Sequence, residues 1–202
     1  MDVIFKDIPD IFFTSDTHFG HTNVIKYSNR PFKSVQEMDE NLIDNWNETV
    51  KQSDTVYHLG DFSFYDEERI VAILKRLNGN KTFLKGNHDK KIWRSSEAKN
   101  IFKEMLEYKE IYVQDRDAVG GKRMIVMCHY PMITWNKCHH GAYMLHGHCH
   151  HNLKYPFPAR IMDVGVDGKG YDYSPVSYEQ VKAHMKNVVP VFPDHHSERD
   201  EE

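Results

Sequence analysis

The chain has 202 residues, 40% hydrophobic and 28% charged, with a net charge of −4. That balance disfavours a protein whose main task is gripping the backbone of duplex nucleic acid. No apolar run approaches the roughly 20 residues of a membrane span, and the three cysteines (Cys128, Cys138, Cys149) lack the number and spacing of a disulfide framework.

In chain order, the opening MDVIFKDIPD has neither the basic region nor the apolar stretch of a secretory signal. A cytoplasmic protein with no membrane partner is predicted. IFFTS (11–15) is a short apolar, β-rich run. Ser34 opens SVQE, a capping box with Glu37 at its third helical position. Met38, Leu42, Trp46 and Val50 follow at spacing four, which predicts an amphipathic helix over 35–50. TVYHLG (55–60) reads as a buried strand. Residues 66–77 carry Ile70, Ile73, Leu74 and Leu77 at helical spacing, ended by NGN. TFLKG (82–86) is a strand, and 96–107 reads as a helix with Ile101, Phe102, Met105 and Leu106 on one face. IYVQD (111–115), RMIVMC (123–128), AYML (142–145) and ARIMDVGV (159–166) then read as strands, with a hairpin turn at Gly120–Gly121. SPVSYEQVKAHMK closes the fold as a helix, with Ser177 and Gln180 as a second capping box. One domain over 1–192 is predicted. The acidic segment 193–202 reads as a flexible tail in which His195 and His196 are surface residues. A βαβ-like first half and a β-rich second half give a layered α/β protein with two sheets, at least one of them mixed.

The chemistry sits where strands end. After IFFTS come Asp16 and His18; after VYHL, Gly60 and Asp61; after TFLK, Gly86, Asn87, His88 and Asp89; after MIVMC, His129; after YML, His146, Gly147, His148, Cys149 and His150. Loops beyond the carboxyl ends of strands converge in open α/β sheets, so five such groups point to one shared site. Six of the 14 histidines lie between His139 and His151, and imidazole is the commonest metal-binding side chain. Two carboxylates, four imidazoles and an amide oxygen are too many ligands for one tetrahedral ion. They suit two divalent ions sharing a carboxylate, with Mn first and Fe, Ni, Zn or Co compatible. Two ions about 3.5–4 Å apart form a clamp for in-line displacement at phosphorus.

D-x-H, G-D, G-N-H-D, H and G-H-x-H, in that order, resemble the motifs of the calcineurin-like metallophosphoesterase superfamily, with every ligand position filled. The resemblance implies an α/β fold, a four-layer α/β/β/α sandwich with two mixed β-sheets flanked by helices. It implies one metal on Asp16, His18, Asp61 and His150, and a second on Asp61, Asn87, His129 and His148, bridged by Asp61. His88 would be catalytic, oriented by Asp89. The implied activity is hydrolysis of small phosphodiesters, cyclic nucleotides among them, or of phosphomonoesters, by a hydroxide held between the ions. Competing readings are a nuclease on single-stranded nucleic acid and a non-catalytic metal-binding scaffold.

The remaining histidines divide by position. His58, inside a strand, reads as a buried hydrogen-bonded residue, and His146 as a residue that supports the ligands. Cys149 has the opposite parity to His148 and His150 and reads as a packed thiol. Substrate contacts are expected from loop residues near the ligands, among them His21, Asn23, Trp135, Asn136, His139, His140 and His151, with His21 and His140 preferred.

Overall fold

A computed structural model of the chain describes residues 9–191; the segment 193–202, with His195 and His196, lies outside the described residues. The elements in order are β1 (Ile11–Thr14), α1 (Thr22–Tyr27), α2 (Val35–Thr49), β2 (Thr55–His58), α3 (Glu67–Arg76), β3 (Asn80–Leu84), α4 (Lys90–Arg94), α5 (Ser96–Ile101), β4 (Glu104–Leu106), β5 (Tyr108–Gln114), β6 (Lys122–Cys128), β7 (Tyr143–His146), β8 (Ile161–Asp163), β9 (Val176–Ser177) and α6 (Tyr178–Met185).

Two mixed sheets result. The first runs β4-β3-β2-β1-β9, with β1 to β4 parallel and β9 antiparallel to β1. The second runs β5-β6-β7-β8, with an antiparallel β5–β6 hairpin and parallel β6, β7 and β8. A short helical turn containing Gly120 and Gly121 joins the hairpin. The alternation of side chains along each strand sorts the core. Phe12, Val56 and Phe83 face outward from the first sheet onto Met38, Leu42 and Trp46 of α2 and Ile70, Ile73 and Leu74 of α3. Phe13, Leu59 and Leu84 face inward onto Ile125, Met127 and Leu145 of the second sheet, and Val181 and Met185 of α6 join them. Each such side chain, fully buried, contributes about 1.5–3 kcal/mol. The outer face of the second sheet, Met124, Val126 and Met144, has a thin cover: Met132, Trp135 and Tyr155 from loops. Trp135 anchors this cover by donating its indole N–H to the Ala142 carbonyl.

Three local expectations differ from the structure. Helix 96–107 stops at Ile101, and Glu104–Leu106 becomes an edge strand paired with Thr82–Leu84. The apolar spacing fits both, and pairing with an open parallel edge wins. The box at Ser34 is half formed. Ser34 Oγ accepts from Glu37 N, worth about 1 kcal/mol, but the Glu37 carboxylate takes the N–H of Lys33 instead. The box of Ser177 and Gln180 is complete. Helix α1 went unanticipated, since it spans one and a half turns and its N-cap His21 makes no side-chain capping bond.

Topology places the site. The carboxyl ends of β1, β2 and β3 lie together, as do those of β6, β7 and β8. Bridge pairing of Ser15 with Gly165 joins the two sheets there, reinforced by Val166 N–H to the Ser15 carbonyl, and Gly147 N–H to the His129 carbonyl ties the ends of β7 and β6 together.

Candidate active site

Every strand-end group named from the sequence converges at this seam. Two clusters form, Asp16 with His18 and His150, and Asp61 with His129 and His148; within each, the potential ligand atoms lie within 4.8 Å of one another. Asp61 Oδ2 stands 3.8 Å from His18 Nε2 and 3.6 Å from His129 Nε2, so one oxygen faces both clusters. Asn87 Oδ1 is 3.0 Å from both His129 Nε2 and His148 Nδ1.

The backbone is bent to achieve this. Asp16, His18, Asp61, His148 and His150 all have left-handed φ, between 46° and 69°. Such conformations cost about 1–3 kcal/mol each and persist only where the surroundings fix them. Here one oxygen of each carboxylate accepts a main-chain N–H: Asp16 Oδ2 from His148, Asp61 Oδ1 from His88. The other oxygen is left facing the imidazoles. Two motif glycines make room for these contacts. A Cβ on Gly86 would stand 2.3 Å from Asp61 Oδ1, and one on Gly147 would stand 2.4 Å from Asp16 Oδ2.

The site fits divalent metals on its own chemistry. Asp16 Oδ1 and both ring nitrogens of His18 are buried without a hydrogen-bond partner, although buried polar groups are otherwise satisfied. His129 Nδ1 lies 2.7 Å from the Leu59 carbonyl. A neutral ring donating there presents a bare Nε2 lone pair to the amide oxygen of Asn87, two acceptors face to face. The separations of 3.7 Å (His18 Nε2 to Asp16 Oδ1) and 3.9 Å (His150 Nε2 to Asp16 Oδ1) are too long for hydrogen bonds. Ligands about 2.0–2.2 Å from a shared ion stand about 3–4 Å apart, as these atoms do. Burial by itself raises the Asp16 carboxyl, but the surrounding imidazoles of His18, His129 and His150 outweigh it and hold it far below the usual carboxylate range.

An outer ring orients these groups, and two of its members escaped the sequence reading. His150 Nδ1 lies 2.6 Å from Asp167 Oδ2. Asp167 in turn receives Arg30 through Nε at 2.7 Å and Nη2 at 2.9 Å. Buried Arg30 also donates to the carbonyls of Asp16 and Thr17, clamping the left-handed segment. Burial lowers the affinity of His150 for a proton, but Asp167 and Asp16 reverse this and raise its pKa. His146 is fully buried, bonded to the Tyr155 hydroxyl and the Gly147 carbonyl. His58 is likewise buried and bonded. It accepts from Gly60 N–H and pairs with Thr17 Oγ1, and burial pushes its pKa down to about 3.

Three expectations change. Asp89 does not hold the His88 ring: its carboxylate accepts the N–H groups of Gly86, Asp61 and Phe62. It fastens two motif loops together, and burial raises its pKa to about 6 against the pull of those amides. His88 stands at the rim with its side chain 46% exposed and its Nε2 4.0 Å from Asp61 Oδ2. His140 is not brought to the site. It sits on the turn that leads into β7, whereas His148 and His150 follow the strand's far end. His21 does lie beside the site, 5.6 Å from the His18 ring and stacked at 4.0 Å on Phe64. His151 is fixed structurally, with its N–H on Asp163 and its Nε2 2.9 Å from the Gly165 carbonyl. Cys149 joins neither cluster.

A family model, the calcineurin-like phosphoesterase superfamily domain, matches residues 10–156, the stretch that carries all five motifs. The chain belongs to this superfamily. It is similar to protein MJ1445 of Methanocaldococcus jannaschii, 37% identical over 177 residues, covering 85% of this chain and 88% of that one. It is also similar to the Gene 66 protein of Mycobacterium phage L5, 27% identical over 180 residues, covering 78% and 86% respectively. Among solved structures, protein AQ665 of Aquifex aeolicus, of unknown function, superposes with a TM-score of 0.62 at 25% identity, covering 88% of this chain and 100% of the other. No helix among the described residues is long and apolar enough to cross a membrane.

Proposed function

We propose that the protein is a hydrolase of small phosphodiesters, with phosphomonoesters as secondary substrates, that works with two divalent transition-metal ions, Mn first among them. The observation that carries this reading is Asp61 Oδ2, which faces the imidazoles of both clusters at 3.6–3.8 Å, as a carboxylate shared by two ions must. Asp16, His18, Asp61 and His150 would hold the first ion, and Asp61, Asn87, His129 and His148 would hold the second. Bound there, divalent ions supply charge neutralisation at the phosphoryl oxygens and a water acidic enough to attack phosphorus at neutral pH.

The chain's own residues do the rest. The bond from His129 to the Leu59 carbonyl and that from His150 to Asp167 fix each ring's tautomer, so that Nε2 points inward as a lone pair. His88, exposed at the rim and 4.0 Å from Asp61 Oδ2, is placed to give a proton to the leaving oxygen. His21 lines the approach beside His18.

The test is hydrolysis of bis(p-nitrophenyl) phosphate with added Mn²⁺. His88→Ala should lower kcat about 100-fold or more, the scale of a lost general acid, and Asp61→Asn should abolish turnover. Wild-type rates no higher than those of the two variants would remove the enzymatic reading.

A further inference from the structure

We infer that a groove beside the Asn87 half of the site binds the nucleotide portion of a linear substrate that carries a second phosphate beyond the scissile one. The inference rests on the hydrolase reading above and narrows its substrate class. The groove encloses about 580 Å³ and runs from Asn87 along Lys90, Trp93 and Arg94 to Tyr130. At its inner end the Tyr130 ring stands edge-on to His148 at 4.8 Å, so whatever occupies the groove is continuous with the reacting centre.

Its chemistry is specific. Lys90 and Arg94 sit four residues apart on α4, hence on one face, and both are exposed. Like charges so placed repel by a few tenths of a kcal/mol, and neither makes an ion pair among the described residues. The third cation, Lys85, is already neutralised by Glu107 at 2.7 Å and lies 5.0 Å over the Trp93 ring. Two unpaired cations therefore remain in a chain whose net charge is −4. Their natural complement is an anion that the metal centre does not itself hold. Trp93 and Tyr130 add aromatic surface. The Trp93 indole N–H has no acceptor among the described residues, and Tyr130 is 45% exposed. A planar base can stack on the exposed Tyr130 ring and, by displacing the Lys85 ammonium from above it, on the Trp93 ring. A groove with aromatic walls and two free cations matches a base plus a phosphate. A cyclic nucleotide offers only its scissile phosphate and leaves Lys90 and Arg94 unanswered.

Steady-state rates with Mn²⁺ on three probes decide the matter: the 5′-phosphorylated dinucleotide pApA, its dephosphorylated counterpart ApA, and bis(p-nitrophenyl) phosphate. Wild type should favour pApA over ApA in kcat/KM. The double variant Lys90→Glu/Arg94→Glu should lower the ratio of pApA to bis(p-nitrophenyl) phosphate at least tenfold. Trp93→Ala should lower that same ratio, and should lower ApA as well as pApA. The neutral pair Lys90→Gln/Arg94→Gln should fall between wild type and the charge reversal. Hydrolysis of bis(p-nitrophenyl) phosphate with a pApA ratio unchanged within twofold in the charge-reversed variant would overturn the groove assignment and leave the hydrolase reading intact. Turnover of none of the probes by wild type would overturn both.

Discussion

Asp167 Oδ2 lies 2.6 Å from Nδ1 of His150, and the carboxylate is held there by both Nε and Nη2 of Arg30. A buried arginine, a carboxylate and an imidazole thus form a chain that ends at the cluster of Asp16, His18 and His150. The carboxylate fixes the ring and raises its basicity, and partners of this kind are worth about 10–100-fold in metal affinity. Asp167→Asn should therefore weaken Mn²⁺ binding by about that factor, measured by calorimetric titration. Because Arg30 would lose its counter-ion while buried, melting should also drop, in line with the roughly 3–5 kcal/mol cost of breaking a buried pair. Unchanged affinity would show that the ring needs no such partner.

Asp89 is a loop fastener. Its carboxylate accepts three main-chain N–H groups at 2.7–2.9 Å, so Asp89→Ala strands three buried donors. Each stranded group costs about 1–3 kcal/mol. Chemical denaturation should show a loss of several kcal/mol even with chelator present. A variant of wild-type stability but reduced kcat would instead return Asp89 to a role on the imidazole of His88.

His58 sets part of the acid stability. Its pKa is about 3 in the folded chain and 6.5 as the reference value. Between these values the unfolded state binds a proton that the folded state refuses. Stability is then intact above pH 6.5 and falls as the pH drops toward 3, by at most about 1.4 kcal/mol per pH unit. His58→Asn keeps an acceptor near Gly60 N–H and removes the titration. With chelator present, its unfolding free energy should fall less steeply between pH 6.5 and 4.5 than that of wild type. Parallel slopes would contradict the assignment.

The convergence of the strand-end groups was legible from the sequence because each motif couples a strand end to a metal-capable side chain, and the glycines of G-N-H-D and G-H-x-H mark places where a Cβ would strike a carboxylate. Arg30 and Asp167 were not legible. A single arginine in NRPF and a single aspartate in VDGKG carry no spacing signal, and only the fold brings them within 2.7 Å across 137 residues. Asp167 nevertheless follows β8 as the other groups follow their strands, so the strand-end rule extended to a sixth strand would have reached it. His140 misled because closeness in sequence to a ligand says nothing about which end of β7 it occupies. Met105 and Leu106 misled because their spacing suits a helix, while the exposed edge of β3 accepted them as a strand.

The central claim is a pair of ions sharing Asp61, and metal stoichiometry tests it most directly. Metal-free protein dialysed against Mn²⁺ and analysed by atomic emission should hold two ions per chain, falling to one or fewer in Asp61→Asn. One ion or none in wild type, or two retained in Asp61→Asn, would contradict it.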